Sequence, residues 1–491
     1  MQAPPARLRL RLLALFLLLP LLALAQAPLP HSAYAQSSGD QPSLKTEYFT
    51  IFYPEGEEDA ASWYASFADD VNVAVAEMLG ERAVTGLTLR IYATEQEYIA
   101  ANPAAEEHGG IMAHAIPEKL EIGVAVERLR QVEPAIARES FRHEMTHIVA
   151  AELSNQQLTI GFHEGLAQYN ELSTRRAQES AQLLRNAQSS GAELMTWTDL
   201  NRRETFMQRP DLGYPQAYSV MAFLAERYGM GTFGQFVADI RAGETWQRVF
   251  QLTYGKRLNE MEYEYRESFL PEFLRDGWKN NVLTAYDLSP GLAYYEAGHF
   301  AEARAHFERS EELYRDLGRT ERADAAAAYR ANAIRAEEAT AVAGEARESL
   351  EAYEYEAARD QAAEAAATFD ELNLRGQSEI AAETHRLAER GILAVAQLDS
   401  AQARLDRFDL PGARAEARAA SEAFGELGDA VRAEQANKIV SDLSMYITSA
   451  GAGALALGLL TVGGGALAAL RSRGRAAVQR VPVQEESASW L

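Results

Sequence analysis

The chain has 491 residues, no cysteine and 47% hydrophobic residues, and its 47 basic residues face 71 acidic ones for a net charge of −24. The length allows about two to four domains with at least one sizeable core. The absence of cysteine excludes a disulfide framework, a thiol nucleophile and cysteine-ligated metal, and the acidic balance argues against nucleic acid and anionic membrane surfaces as partners.

In chain order, Arg7, Arg9 and Arg11 precede an apolar run from Leu12 to Ala25, with small-x-small sites at Ala23/Ala25 and Ala33/Ala35. These are the parts of a secretory signal peptide, expected over residues 1–35. Residues 36–44 are polar and read as a flexible leader. Strands are predicted at Tyr48–Tyr53, ended by Pro54 and Gly56, at Leu87–Tyr92 and at Leu120–Val126, with a helix over 59–79. His108 and His114, in the stretch HGGIMAH, read as surface loop residues. Helical patterns dominate from about residue 134 to 280. A small sheet ahead of a mostly helical half makes residues 45–280 an α+β domain.

Five of the nine histidines lie between residues 108 and 163, and two of them form His143-Glu144-Met145-Thr146-His147. The flanking residues are good helix formers without Gly or Pro. On a helix, positions i and i+4 share a face, so both imidazoles can bind one metal ion. Glu144 is rotated by about 100° and can face a metal-bound water without ligating the ion. A site with one open position needs a third protein ligand. Glu164, separated from His147 by sixteen residues, is the first candidate, at the start of a second helix; His163 is the alternative. Gly165 and Ala167 permit close approach of the two helices.

An HExxH helix followed by a second helix bearing Glu164-Gly165-x-Ala167 resembles the gluzincin metallopeptidases, the thermolysin-like and aminopeptidase-like group, and within it a peptidase MA-like branch. The resemblance spans residues 45 to about 275, including YFTIFYP, LEIGVAV, and Tyr214 and Tyr218 ahead of Tyr228-Gly229. It implies a zincin-type catalytic domain with Zn2+ on His143, His147 and Glu164. Peptide bonds would be hydrolysed through a zinc-bound water activated by Glu144. The oxyanion donor would be Tyr218 first, Tyr214 second. It also implies that Leu120–Val126 is a sheet edge able to pair with an extended peptide. Thermolysin-like members carry an Asp four residues after the Glu ligand; here Gln168 stands there, and its carbonyl can still accept from an imidazole N–H.

Residues 281–442 are rich in Ala, Glu and Arg, with 32 acidic against 18 basic residues. Segments beginning at His299, Glu354 and Asp409 match at an offset of 55, with Ala303/Ala358/Ala413 and Tyr314/Phe369/Phe424 in register. This predicts an all-α region of three ~55-residue tetratricopeptide-like hairpins, with an elongated second helix or a third helix filling the extra length, that can bind a protein partner. Met445 to Leu470 carries no charge and is followed by Arg471, Arg473, Arg475 and Arg480. A transmembrane helix over 445–470, a cytoplasmic tail over 471–491 and a single-pass cell-membrane protein with its catalytic domain outside are therefore expected. The functional expectation is a membrane-anchored extracytoplasmic zinc metallopeptidase acting on peptide or protein substrates. The alternative is a non-catalytic zinc-binding surface protein whose repeats bind a partner.

Overall fold

The computed structural model describes residues 41–107, 111–276, 281–446 and 448. They divide into two compact units, with the boundary between Ile334 and Arg335. The first is a mixed α+β unit and the second is helical.

The first unit opens with β1 (Ser43–Lys45), β2 (Phe49–Phe52), α1 (Glu58–Ala65), α2 (Ala68–Met78), β3 (Leu87–Tyr92), α3 (Glu95–Ala101), α4 (Ala104–Glu107), β4 (Ala113–Ile116), β5 (Glu121–Ala125) and α5 (Val126–Leu129). The strands form one sheet in the order β1-β2-β3-β5-β4. β2, β3 and β5 run parallel, with β1 antiparallel on one edge and β4 antiparallel on the other. Residues in β3 alternate between buried and half-buried, so Leu87, Leu89 and Ile91 enter the core from one face.

Two differences from the sequence reading bear on the site. The leader expected over 36–44 ends in a strand, because Ser43 and Leu44 pair with Phe52 and Ile51. Leu120–Val126, expected as the sheet edge, yields an interior strand. Ile122 to Ala125 are buried, as befits a strand covered on both sides. The edge is β4, folded from the stretch read as a surface loop. A 3₁₀ turn at Pro117–Lys119 and Leu120 at φ 51° reverse the chain between β4 and β5.

Helices complete this unit. α6 (Pro134–Ser154) lies over the sheet, with Phe141 packed on Phe49, Tyr64 and Phe67 at ring separations of 5.5–5.9 Å. There follow α7 (Ile160–Asn170), α8 (Thr174–Ser189), α9 (Trp197–Leu200), α10 (Arg203–Gln208), α11 (Pro210–Tyr228), α12 (Met230–Asp239), α13 (Trp246–Tyr254), α14 (Leu258–Glu264), α15 (Leu270–Asp276), α16 (Ser289–Glu296) and α17 (Phe300–Asp316). Leu313, Tyr314 and Leu317 join the same core as the sheet and α6. Asn281 donates to the Tyr169 carbonyl at the end of α7.

α18 (Thr320–Glu351) crosses the unit boundary and is followed by α19 (Tyr355–Glu371), α20 (Arg375–Asp406) and α21 (Leu410–Leu427). The first helices of the hairpins have 17, 17 and 18 residues, while α18 and α20 both have 32. The 55-residue period thus arises from an elongated second helix. Both turns repeat it: Gly298, Tyr353 and Phe408 have positive φ, as do Gly318, Asn373 and Gly428. In the second unit, Arg335–Glu371 and Arg390–Glu426 are ion pairs in matching positions.

No helix among the described residues is long and apolar enough to cross a membrane. The expectation of a single-pass cell-membrane protein with an extracytoplasmic catalytic domain is corrected accordingly. The longest helices, α18 and α20, are studded with Glu and Arg, which hydrocarbon would not accommodate. The signal peptide over 1–35, all but the first few residues of the 445–470 segment, and the 471–491 tail lie outside the described residues.

One close approach in the second unit tests this packing. A Cβ on Gly391 of α20 would stand 2.2 Å from the Tyr355 ring of α19. Gly391→Leu should destabilise the second unit by about 2–3 kcal/mol through overpacking, measured by urea denaturation.

Candidate active site

α6 and α7 form an antiparallel hairpin. Pro134 starts α6, where its missing N–H costs nothing. Asn155 and Gln156, both with left-handed φ, end it and turn the chain. The start of α7 is held by Asn201, whose Oδ1 accepts from Thr159 Oγ1 at 2.8 Å and from the Phe162 amide at 3.0 Å. At the other end, Arg142 Nε donates to the Asn170 carbonyl at 2.6 Å. Asn170 Nδ2 donates in turn to Thr146 Oγ1 at 2.9 Å. Gly165 was expected to admit α6, but it admits α11: a Cβ there would lie 2.5 Å from the Ala217 carbonyl oxygen.

This register brings together His143, His147 and Glu164, all buried. His143 Nε2 and His147 Nε2 are 3.1 Å apart, and Glu164 Oε2 is 3.8 Å from each. Metal–ligand bonds of about 2.0–2.1 Å in a tetrahedral arrangement place neighbouring donor atoms about 3.3–3.4 Å apart, so the three atoms fit one face of such a site. Their electrostatics agree. Burial, then His163 and His143, push the His147 imidazole well below its ordinary value. Burial, then Glu144, pushes the Glu164 carboxyl well above its own. Among the described residues, Glu164 Oε2 has no hydrogen-bond partner. His147 and Glu164 resist their charged forms alone, and a cation beside them relieves that cost.

Glu144 is buried on α6, and its Oε2 also has no hydrogen-bond partner among the described residues. Burial pushes its carboxyl up to about 7, against the lowering effect of His143 and of the Ala115 backbone amide. That amide belongs to β4, so the free sheet edge lies beside Glu144. His163 stands apart from the triad: its Nε2 contacts the His147 carbonyl oxygen at 3.3 Å. A cleft of about 250 Å³ adjoins the triad, lined among others by Pro117, Ser154, Ile160, His163, Glu164 and Arg203.

The two candidate tyrosines lie in different surroundings. Burial raises both phenols well above the ordinary value. Among charged groups, Glu164 and Glu144 raise the Tyr214 phenol and Arg203 lowers it. Tyr218 packs its ring on Tyr169 and Phe273, and its charged neighbours are Glu171 and Arg176. His114, expected on the surface, is buried in β4 opposite Gly123, with its ring 5.2 Å from that of Tyr98. Burial lowers its imidazole to about 4. His108 lies outside the described residues.

The sequence reading did not identify Glu171. Its Oε1 lies 2.8 Å from His143 Nδ1, the position for which Gln168 was considered. Gln168 instead turns its Nε2 toward the carbonyls of Glu164 and Tyr214, at 3.4 and 3.3 Å. Burial alone would raise the Glu171 carboxyl, but the adjacent Arg176 guanidinium and the His143 ring hold it below the ordinary range. The overlooked signal was spacing: Glu171 follows Glu164 by seven residues, two helical turns along one face.

Residues 67–270, a span containing every residue of this site, match the family model described as the Peptidase MA superfamily. No curated protein and no solved structure matches the chain. The match and the buried His-His-Glu cluster support a metallopeptidase-like domain with a gluzincin-like arrangement.

Because the Ala217 carbonyl is backbone and cannot swing aside, Gly165→Val should force α7 from α11. It should cost about 2–3 kcal/mol in urea denaturation and weaken metal retention through the neighbouring Glu164, read by elemental analysis after dialysis.

Proposed function

We propose that this protein is a zinc-dependent peptidase in which His143, His147 and Glu164 hold the ion and Glu144 is the general base. The observation that carries the reading is the convergence of His143 Nε2, His147 Nε2 and Glu164 Oε2 beside a buried carboxylate whose Oε2 has no partner among the described residues. Two nitrogens and one oxygen from three protein ligands suit zinc with an open position. Bound there, zinc supplies Lewis acidity toward a carbonyl oxygen and brings the pKa of water into the neutral range.

The chain's own residues do the rest. Glu144 Oε2 takes a proton from the attacking water as its oxygen bonds to the scissile carbon, then passes it to the leaving amine nitrogen. Tyr214, kept protonated by burial and by Glu164, donates to the carbonyl oxygen as charge develops there. Tyr218 is set among Tyr169, Phe273, Glu171 and Arg176 and supports the helix pair. The open edge of β4 pairs with an extended peptide through main-chain hydrogen bonds, orienting it without demanding a sequence. A chain that only bound metal would gain nothing from burying Glu144 without a partner. The helical hairpins are read as tetratricopeptide-like units offering a surface for a protein partner.

His143→Ala and His147→Ala should each lose the ion, measured by elemental analysis, since two remaining ligands hold it poorly. Glu144→Gln should keep zinc while hydrolysis of an unstructured casein-type substrate falls about 100-fold or more. Zinc-loaded protein that releases nothing from a random peptide library would overturn the reading. Tyr214→Phe should lower kcat by about tenfold or more with KM little changed, whereas Tyr218→Phe should leave kcat within about twofold. Steady-state kinetics decide between the two.

A further inference from the structure

The turn between α7 and α8 does more than reverse the chain. Glu171 ends α7, and Leu172 takes a left-handed φ of 61°. Ser173 then caps α8 by accepting the Arg176 amide at 3.4 Å. These few residues carry two buried charges into the hairpin, Glu171 at 3% exposure and Arg176 at 4%. The two carboxylate oxygens have separate partners. Oε1 faces His143 Nδ1 at 2.8 Å, and Oε2 accepts from Arg176 Nε at 3.0 Å. Arg176 also lies 3.8 Å from Glu179 and within the field of Glu139.

We infer that Arg176 is a positioning residue of the metal site, acting through Glu171 to orient His143 although it touches none of the three proposed ligands. This rests on the reading of His143 as a ligand. The reason is geometric. A carboxylate on Nδ1 keeps the proton there and turns the Nε2 lone pair toward His147 and Glu164. A buried carboxylate keeps its place only while its charge is paired. Arg176 grips the oxygen that His143 does not use, so the carboxylate is held at both ends. Without it, Glu171 is free to leave the imidazole, and the Nε2 direction is no longer specified.

The test uses the full chain, stripped of metal with a chelator and titrated with zinc against a chromophoric competitor. Arg176→Met should weaken zinc about 10–100-fold, the usual loss when an outer partner of a ligand is removed. Arg176→Lys, which keeps the charge and one donor, should recover affinity to within about threefold of the unchanged chain. A residue that merely staples the turn would lower the urea midpoint of the metal-free protein and leave zinc affinity per folded molecule unchanged. Glu171→Gln severs the same link at its centre without changing shape, and should weaken zinc about tenfold or more. It decides the question if Arg176→Met does not fold. Affinities within twofold of the unchanged chain in the folded variants overturn the inference. His143→Ala separates the two failures. If it retains zinc, the ligand assignment falls and this inference with it. If it loses zinc while Arg176→Met and Glu171→Gln do not, only the role of Arg176 falls.

Discussion

Two imidazoles and a carboxylate meet in the interior of an antiparallel helix pair, where burial disfavours the charged forms of His147 and Glu164. Burial lowers the basicity of His147 and raises that of Glu164. The arrangement is unfavourable for an isolated protein and favourable around a cation. Much of the first unit is arranged to sustain it. The sheet backs α6 through Phe141, Met145 and Ile148, and Asn201 holds the start of α7. Gly165 lets α11 approach until Tyr214 shares the field of Glu164 and Glu144.

Around that centre the buried charges form a graded series. Glu171 is paired on both oxygens and stays ionised below its ordinary range. Glu144 has a backbone amide and the neighbouring His143 to offset burial, and rises to about 7. Carboxylates within one helix hairpin therefore differ in proton affinity for reasons visible in their neighbours. In the proposed reaction that separation would let Glu171 hold its charge in support while Glu144 takes and returns a proton.

The helical part follows a simpler logic. The first hairpin helix, α17, belongs to the first unit, with Leu313, Tyr314 and Leu317 in that unit's core. The hairpins then repeat at 55 residues, with left-handed residues at both turns and ion pairs in matching positions. Small residues at matched places, Ala303, Ala358 and Ala413, are all fully buried, which lets long helices lie close without large side chains.

The ligand helices and the repeat period were legible in the residues alone because both are local. Four residues on a helix fix which imidazoles share a face, and a fixed offset of 55 fixes where turns recur. The three strands read from alternation also stand within a residue or two. What only the tertiary structure decided depends on segments far apart in the chain. β4 became the sheet edge and β5 its neighbour because Ala113–Ile116 folds back on Glu121–Val124, a pairing no local pattern announces. His114 was buried by that same pairing. Glu171 took the place considered for Gln168 because the antiparallel register of α6 and α7 sets the end of α7 opposite His143, while Gln168 faces α11. The difference between Tyr214 and Tyr218 lies one turn apart on a single helix, and it is decided by which neighbours each turn meets: the proposed ligand Glu164 for one, the Glu171–Arg176 pair for the other.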